Sequence, residues 1–598
     1  MPVEADETRT AAVCIHPEGE ARIVVAARGY VVIVDPASET SRQLYFPEKY
    51  KEYPYACIAG AEGAFYIGAG RMFMAIDPFE GKYTDALTPD CGEEIVGFRL
   101  AEASDGSVYL TTYPRCLLLR YDPAERTIET VARLDETQKY AGSIACGRDG
   151  WVYAGIGTER RDVVAVRPAT GERRSFVPAE ERTRGAGRVV ASLDGRVFGS
   201  WSEGEEGEPL WHELSNGEFA RIEGAPPPSA YAGEGFRTVH GALPAPWDVE
   251  SVDLAEREVV VANRENGKRK TIRLHYRSDG ANVSPLTLGP DGRVWGTSNH
   301  PLQLFAFDPD AGKTTNYGGR AIELGGGGNL CAYASAGTIL AGAAYAGGHL
   351  HLIDTAKPLQ WEEPSARNPK LVASHREVHR PRCALAHSDG AHIVYGGFPD
   401  YGFVGGGLCV YDLRTGEDAL LTHDRLVPDQ STLCLAEAEG GRLLIGGTSI
   451  ETPGGAEPKA KEAALYAMDW ATRTVVERWT PIPGAREISL LKAYTSHRVI
   501  GITSDALLFT FDVRTGETLR TLDLSAWGKV VRDGLAAADD GLFVVAVSGA
   551  VCVIEPVALE LFKALQPPVP VTAGLAYRGG RAYFASGSEL CSIHVRKL

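Results

Sequence analysis

The sequence predicts an all-β chain built from stacked four-stranded units. Three observations carry that expectation. An Asp-Pro pair or a close variant recurs along the chain, at Asp35-Pro36, Asp77-Pro78, Asp122-Pro123, Arg167-Pro168, Asp308-Pro309, Asp354-Thr355, Asp412-Leu413, Asp469-Trp470, Asp512-Val513 and Glu555-Pro556. Each pair ends a short apolar run, as in Val31-Val32-Ile33-Val34 or Leu508-Phe509-Thr510-Phe511. The spacing, about 42 to 58 residues, is that of a four-strand supersecondary unit repeated in register. Glycine-bearing turns such as Gly289-Pro290-Asp291-Gly292 and Gly147-Arg148-Asp149-Gly150 fall where the first two strands of a unit would join.

Taken in order, four units end at residues 35, 77, 122 and 167. Two degenerate units follow, turning near Asn216-Gly217 and Asp253. The unit at 283–318 reads most plainly, with strands at 283–288, 293–296 and 302–307 before a turn at Asp308. Third strands then end near 308, 354, 412, 469, 512, 555 and 595, and Gly325-Gly326-Gly327-Gly328 reads as a connector. The last unit stops after its third strand. A ring left open there would expose an unpaired edge, so the stray strand at 271–276 is expected to supply the missing outer strand. The expectation is two tandem β-propellers: 8–268 with about six blades, and 270–598 with seven, closed by 271–276.

A chain of 598 residues exceeds one ordinary core. Its net charge of −17 argues against non-specific contact with nucleic acid or an anionic membrane. No apolar run reaches the roughly 18 residues of a membrane span. The opening Met1-Pro2-Val3-Glu4-Ala5-Asp6-Glu7 has neither a basic segment nor an apolar core, so a soluble cytoplasmic protein is expected. The 11 cysteines form no CxxC pair and follow the repeat. Cys14, Cys57, Cys146, Cys331, Cys383 and Cys434 fall in first strands, and Cys116, Cys409, Cys552 and Cys591 in third strands. They are expected to be free core fillers.

In such a ring the loops from second to third strand share one face with the connections between units. Sorting by that rule gathers His300, Tyr345, Asp400, Tyr401 and the run His375-Arg376-Glu377-Val378-His379-Arg380-Pro381-Arg382. Five histidines on or next to that face, His300, His349, His351, His375 and His379, and three arginines in so acidic a chain suggest a mouth that takes an anionic ligand. Arg376, Arg380 and Arg382 can clamp a carboxylate through the guanidinium fork, with Asp400 completing the substrate-binding set. His300 or His379 is the candidate base, and Tyr401 or Tyr345 the candidate acid. His349 and His351 point to one side of a strand, which suits either a divalent metal ion or a half-exposed strand. GxGxxG, P-loop, GxSxG and HExxH motifs are absent.

The run Gly289-Pro290-Asp291-Gly292-Arg293-Val294-Trp295, followed by Phe305-Ala306-Phe307-Asp308-Pro309-Asp310-Ala311-Gly312, resembles the repeat of bacterial multi-bladed propellers of the streptogramin-lyase-like, quinoprotein-like and WD40-like superfamily. The resemblance implies fold. The acidic residue that streptogramin lyases carry after the second-strand aromatic is replaced here by Gly296-Thr297-Ser298. A weaker similarity links His349-Leu350-His351 to propeller oligosaccharide lyases that hold a metal with histidines and a glutamine; Ala346 stands where the glutamine would be. The expected function is that of a carbohydrate-active propeller, a lyase or glycosidase-like enzyme acting on a uronate-containing oligosaccharide. The alternative is a non-catalytic scaffold for a protein partner.

Overall fold

The structure, a computed structural model, describes residues 1–204, 207–234, 237–323 and 328–595. The expected connector at 325–328 lies mostly outside the described residues. The chain is all-β, with many four-stranded antiparallel sheets in sequence order. It divides into two compact units: Ala5–Asp279, and Gly280–Leu598 together with Met1–Glu4. Among the described residues, no helix is long and apolar enough to cross a membrane.

In the first unit, sheets open at strands Thr10–Ile15, Pro54–Ala59, Ile95–Glu102, Ala141–Cys146 and Arg188–Ala191. A hairpin, Tyr231–Glu234 with Arg237–His240, joins the first of these by parallel pairing of Ala11 with Val239. A three-stranded sheet, Trp247–Asp253, Glu258–Asn263 and Arg269–Arg273, completes the unit. Here the sequence expectation needs correction. Arg269–Arg273 pairs with Glu258–Asn263, Arg273 opposite Glu258 and Ile272 opposite Val259, so 271–276 does not close the other unit. Ile272, Leu274 and Tyr276 are buried in the first unit's own core beside Tyr30 and Val259. The segment reads as a strand because its alternation is local; which edge it joins is decided by that apolar face.

The second unit holds seven consecutive sheets. Their first strands are Asn282–Leu288, Asn329–Ala336, Arg380–Ala386, Ser431–Ala438, Ile488–Ala493, Val530–Ala537 and Ala573–Arg578. Each sheet shares a buried apolar layer with the next. The seventh meets the first through Phe307 and Tyr583, with ring centroids 6.0 Å apart, an Arg578–Asp310 ion pair at 2.8 Å, and a Val283 N–H bond to the Gly587 carbonyl at 2.8 Å. The seventh sheet has three strands among the described residues.

The repeating aspartate is a turn device. Asp35 Oδ1 accepts hydrogen bonds from the backbone N–H groups of Ala37 and Ser38, at 2.9 and 3.3 Å. Asp77, Asp122, Asp308, Asp412, Asp512 and Glu555 do the same two and three residues ahead. These Asx turns end the third strand and satisfy N–H groups that the ladder leaves behind. Asp512, nearly buried, also accepts from Arg498 Nε at 3.0 Å. Asp512→Ala is therefore expected to cost about 2 kcal/mol in chemical denaturation of the second unit. No shift in the unfolding midpoint would remove the turn from the stability argument.

A second regularity has no signature in the sequence. In all seven sheets of the second unit the first strand carries a register shift against its neighbour. The bulged positions include Cys331, Arg382, Ser489 and the pair Arg532 and Asp533. A bulge releases a residue from the ladder and re-aims its side chain. All eleven cysteines are free, and nine of them are buried.

Candidate functional site

Tyr345 ends the strand Ile339–Tyr345, and Tyr401 lies in the loop before Leu408–Asp412. They belong to adjacent sheets, yet their hydroxyls meet at 3.0 Å. The connection between those sheets makes a 3-10 turn, Arg376–Val378, and delivers His379 and Arg380 to the same place. His379 stands edge-on to both tyrosines, with ring centroids 5.3 Å from Tyr345 and 5.6 Å from Tyr401. The Arg380 guanidinium lies 4.1 Å from the Tyr401 ring centre and 5.4 Å from that of Tyr345. Four of the expected site residues thus form one cluster.

Their roles differ from the expectation in two respects. Arg380 is buried, donates from Nη1 to the Pro399 carbonyl at 3.2 Å, and packs on the tyrosine rings. Its fork is engaged in holding the tyrosines, and its charge acts through their π-faces. His379 Nδ1 accepts the Gly347 N–H at 3.1 Å. That fixes the neutral tautomer with its proton on Nε2, which is buried and has no hydrogen-bond partner among the described residues. Burial, and then Arg380, hold the imidazole below its ordinary pKa against the opposing pull of Asp400. His379 is therefore a neutral N–H donor in this arrangement, and its lone pair is not free to act as a base.

Asp400 and Arg376 form the outer edge. Asp400 Oδ1 accepts its neighbour Tyr401 N–H at 2.7 Å and lies 3.6 Å from His379 Nδ1. Its Oδ2 stands 4.0 Å from Arg376 Nη2, an exposed pair worth little by itself. The Arg376 guanidinium covers the Phe403 ring at 4.6 Å. Arg382, at the bulge of its strand, packs beside Phe398 at 5.2 Å. His300 occupies the loop between Val294–Asn299 and Leu304–Asp308 at φ 41°, in the left-handed region that few residues other than glycine adopt. Burial and the Tyr401 hydroxyl push the Tyr345 phenol well above its ordinary pKa, so it stays protonated throughout the neutral range.

His349 and His351 do share one side of their strand, with ring centroids 6.4 Å apart. The donor set does not fit a metal. His349 Nδ1 is 2.6 Å from Ser374 Oγ, and a Cβ on Gly347 would lie 2.5 Å from His349 Nε2, so that nitrogen faces backbone. Among the described residues, the one trio of ligand atoms close enough to hold an ion is His375, Cys409 and Asp418. There His375 already bonds Asp418, and burial pushes the Cys409 thiol up to about 12, which keeps it from the thiolate a metal needs.

Both His351 ring nitrogens are buried without a partner among the described residues, and burial, then His349, hold its pKa at about 4 against an ordinary 6.5. The folded chain therefore resists protonation that the unfolded chain accepts. The stability from this group is complete above pH 6.5 and is lost as pH falls from there toward 4, by about 3 kcal/mol in all. His351→Leu is expected to flatten that loss in pH-dependent denaturation and to raise stability by about 1 kcal/mol at pH 7. An unchanged acid limb would refute it.

The first unit has a cleft of about 560 Å³, lined by Arg22, Asp35, Leu243, Trp247 and Lys270 among others. Its charges are spent on one another, Arg22 on Asp35 at 3.4 Å and Lys270 on Glu39 at 3.1 Å. The convergent polar groups Tyr345, His379, Arg380 and Tyr401 lie in the second unit. No protein-family model matches this chain, and no curated protein matches it either.

Proposed function

We propose that both units are β-propellers, the second of seven blades and the first of about six, and that the second binds an acidic oligosaccharide at its Tyr345–Tyr401 face and cleaves it by β-elimination. The seven packed sheets and the joint between Phe307 and Tyr583 support the ring. The observation that carries the chemistry is the pair of tyrosine hydroxyls 3.0 Å apart, backed by a buried guanidinium and flanked by a neutral imidazole.

Elimination removes the proton α to a uronate carboxylate and expels the oxygen at the β-carbon. Tyr345, held protonated, would donate to the leaving oxygen, and Tyr401 would orient it. Arg380 would place a fixed positive charge next to developing enolate charge. With the His379 lone pair occupied, the base would be His300, in a loop of the neighbouring sheet. No step requires a metal.

Incubation with uronate oligosaccharides, followed by the ultraviolet absorbance of the unsaturated product, tests the reading. Product formation is expected, and its absence across a broad panel of uronates would overturn it. Binding without turnover would leave the face a recognition surface.

A further inference from the structure

We infer that the second unit has a separate oxyanion site where Arg382 and Arg532, from the first strands of its third and sixth sheets, grip a carboxylate or phosphate group. The inference does not depend on elimination chemistry and stands without any turnover.

Four observations carry it. Both arginines occupy bulges, Arg382 between Pro381 and Cys383 and Arg532 between Val530 and Leu535, so neither side chain follows the alternation of its ladder. The two strands belong to the third and sixth sheets, yet Arg532 ranks first among the charges acting on Arg382. Arg532 Nη1 also reaches Cys331 Sγ of the second sheet at 3.8 Å, 201 residues away in sequence, so these first strands face one another across a narrow space. Finally, neither guanidinium has an ion pair among the described residues. Arg382 has only the Phe398 ring, and Arg532 only the Cys331 sulfur, among their described contacts.

Two like charges brought together in an enclosed space repel, and arginine cannot relieve that by losing its proton at neutral pH. The surroundings do not cancel them. Glu487 and Asp533 face the same region, and Lys492 adds a third cation. With Arg380, which also acts on Arg382, four cations stand against two carboxylates and leave two positive charges. Glu487 already accepts the Ser489 hydroxyl at 2.7 Å. Asp533 sits at φ 52° with its pKa pushed up to about 6 by burial, although Lys492 and Arg532 pull it down. Arg382 is held down to about 9, again chiefly by burial. Arg382 and Asp533 are half-buried and Arg532 is exposed, so all three stay open to a ligand from solvent. An oxyanion between the two forks would offset the repulsion and take charge-assisted hydrogen bonds from both.

Calorimetric titration of the full chain tests this, with inorganic phosphate and galacturonate as probes, galactose as neutral control, and ionic strength held constant. Saturable binding of at least one oxyanion is expected, with none of galactose. Arg532→Gln, at an exposed position outside the tyrosine cluster, is expected to weaken it at least tenfold, and Arg532→Lys by less. Arg382→Gln should act alike; should it fail to fold, the Arg532 variants decide. Binding of phosphate without galacturonate would support this site while removing support from a uronate ligand. Absence of binding by both, or binding unchanged in Arg532→Gln, would overturn the inference.

Discussion

Tyr345→Phe is expected to lower the rate of uronate elimination by about 10²- to 10⁴-fold while leaving the fold intact. The substitution removes one oxygen. The ring stays against His379 and Arg380, so packing is conserved, and the lost hydroxyl bond to Tyr401 costs roughly 1 kcal/mol of stability. A general acid must carry its proton at the working pH, and burial together with the Tyr401 hydroxyl keeps the Tyr345 phenol protonated well past the ordinary phenol range. Titration of this group therefore should not impose an alkaline limb near neutrality. Two outcomes would sink the assignment: a Phe variant with full activity, or one whose activity falls only in proportion to the unfolded fraction. Tyr401→Phe separates orientation from donation, since it leaves the Tyr345 proton in place and is expected to cost less.

The sequence made some of this visible and hid the rest for identifiable reasons. The Asp-Pro beat marks Asx turns because an aspartate binding N–H groups two and three residues ahead is a local event. Loop order was enough to bring Tyr345, His379 and Tyr401 to one face, since a repeat fixes which connections emerge together. Partner choice was not legible. The alternation at 271–276 is a true strand signal, yet Val259 and Tyr30 compete for its apolar face and win it for the first unit. The spacing of His349 and His351 correctly gave a shared side, but Ser374, which occupies His349 Nδ1, joins from a strand 25 residues on. The His379 tautomer depends on one backbone N–H, that of Gly347, which no side-chain pattern encodes. Arg532 has no signature in the sequence because bulges belong to paired strands: alternation alone assigns its side chain to the wrong direction.

Gly348→Val is expected to destabilise the second unit by about 3 to 5 kcal/mol and to dismantle the tyrosine cluster with it. Gly348 adopts φ +64° in the turn between Tyr345 and His349. A Cβ there would stand 2.2 Å from the His375 carbonyl oxygen and 2.7 Å from that of Val378. Both are backbone atoms of the 3-10 turn that carries His379 and Arg380, and Val378 is fully buried, so the turn cannot yield cheaply. The Gly348 carbonyl also accepts the Tyr395 hydroxyl at 3.1 Å, a buried bond that any shift would stretch. Two terms therefore add: a β-branched residue forced into the left-handed region, and overlap with main chain. Gly337 isolates the first of them. It has φ +59°, and a Cβ added there would meet nothing within 4 Å, so Gly337→Asn should cost less than about 1 kcal/mol. Chemical denaturation of both variants, read beside elimination rates at low denaturant, decides the point. If Gly348→Val matched Gly337→Asn in stability, the turn would be free to move and would not be what holds His379 against the tyrosines.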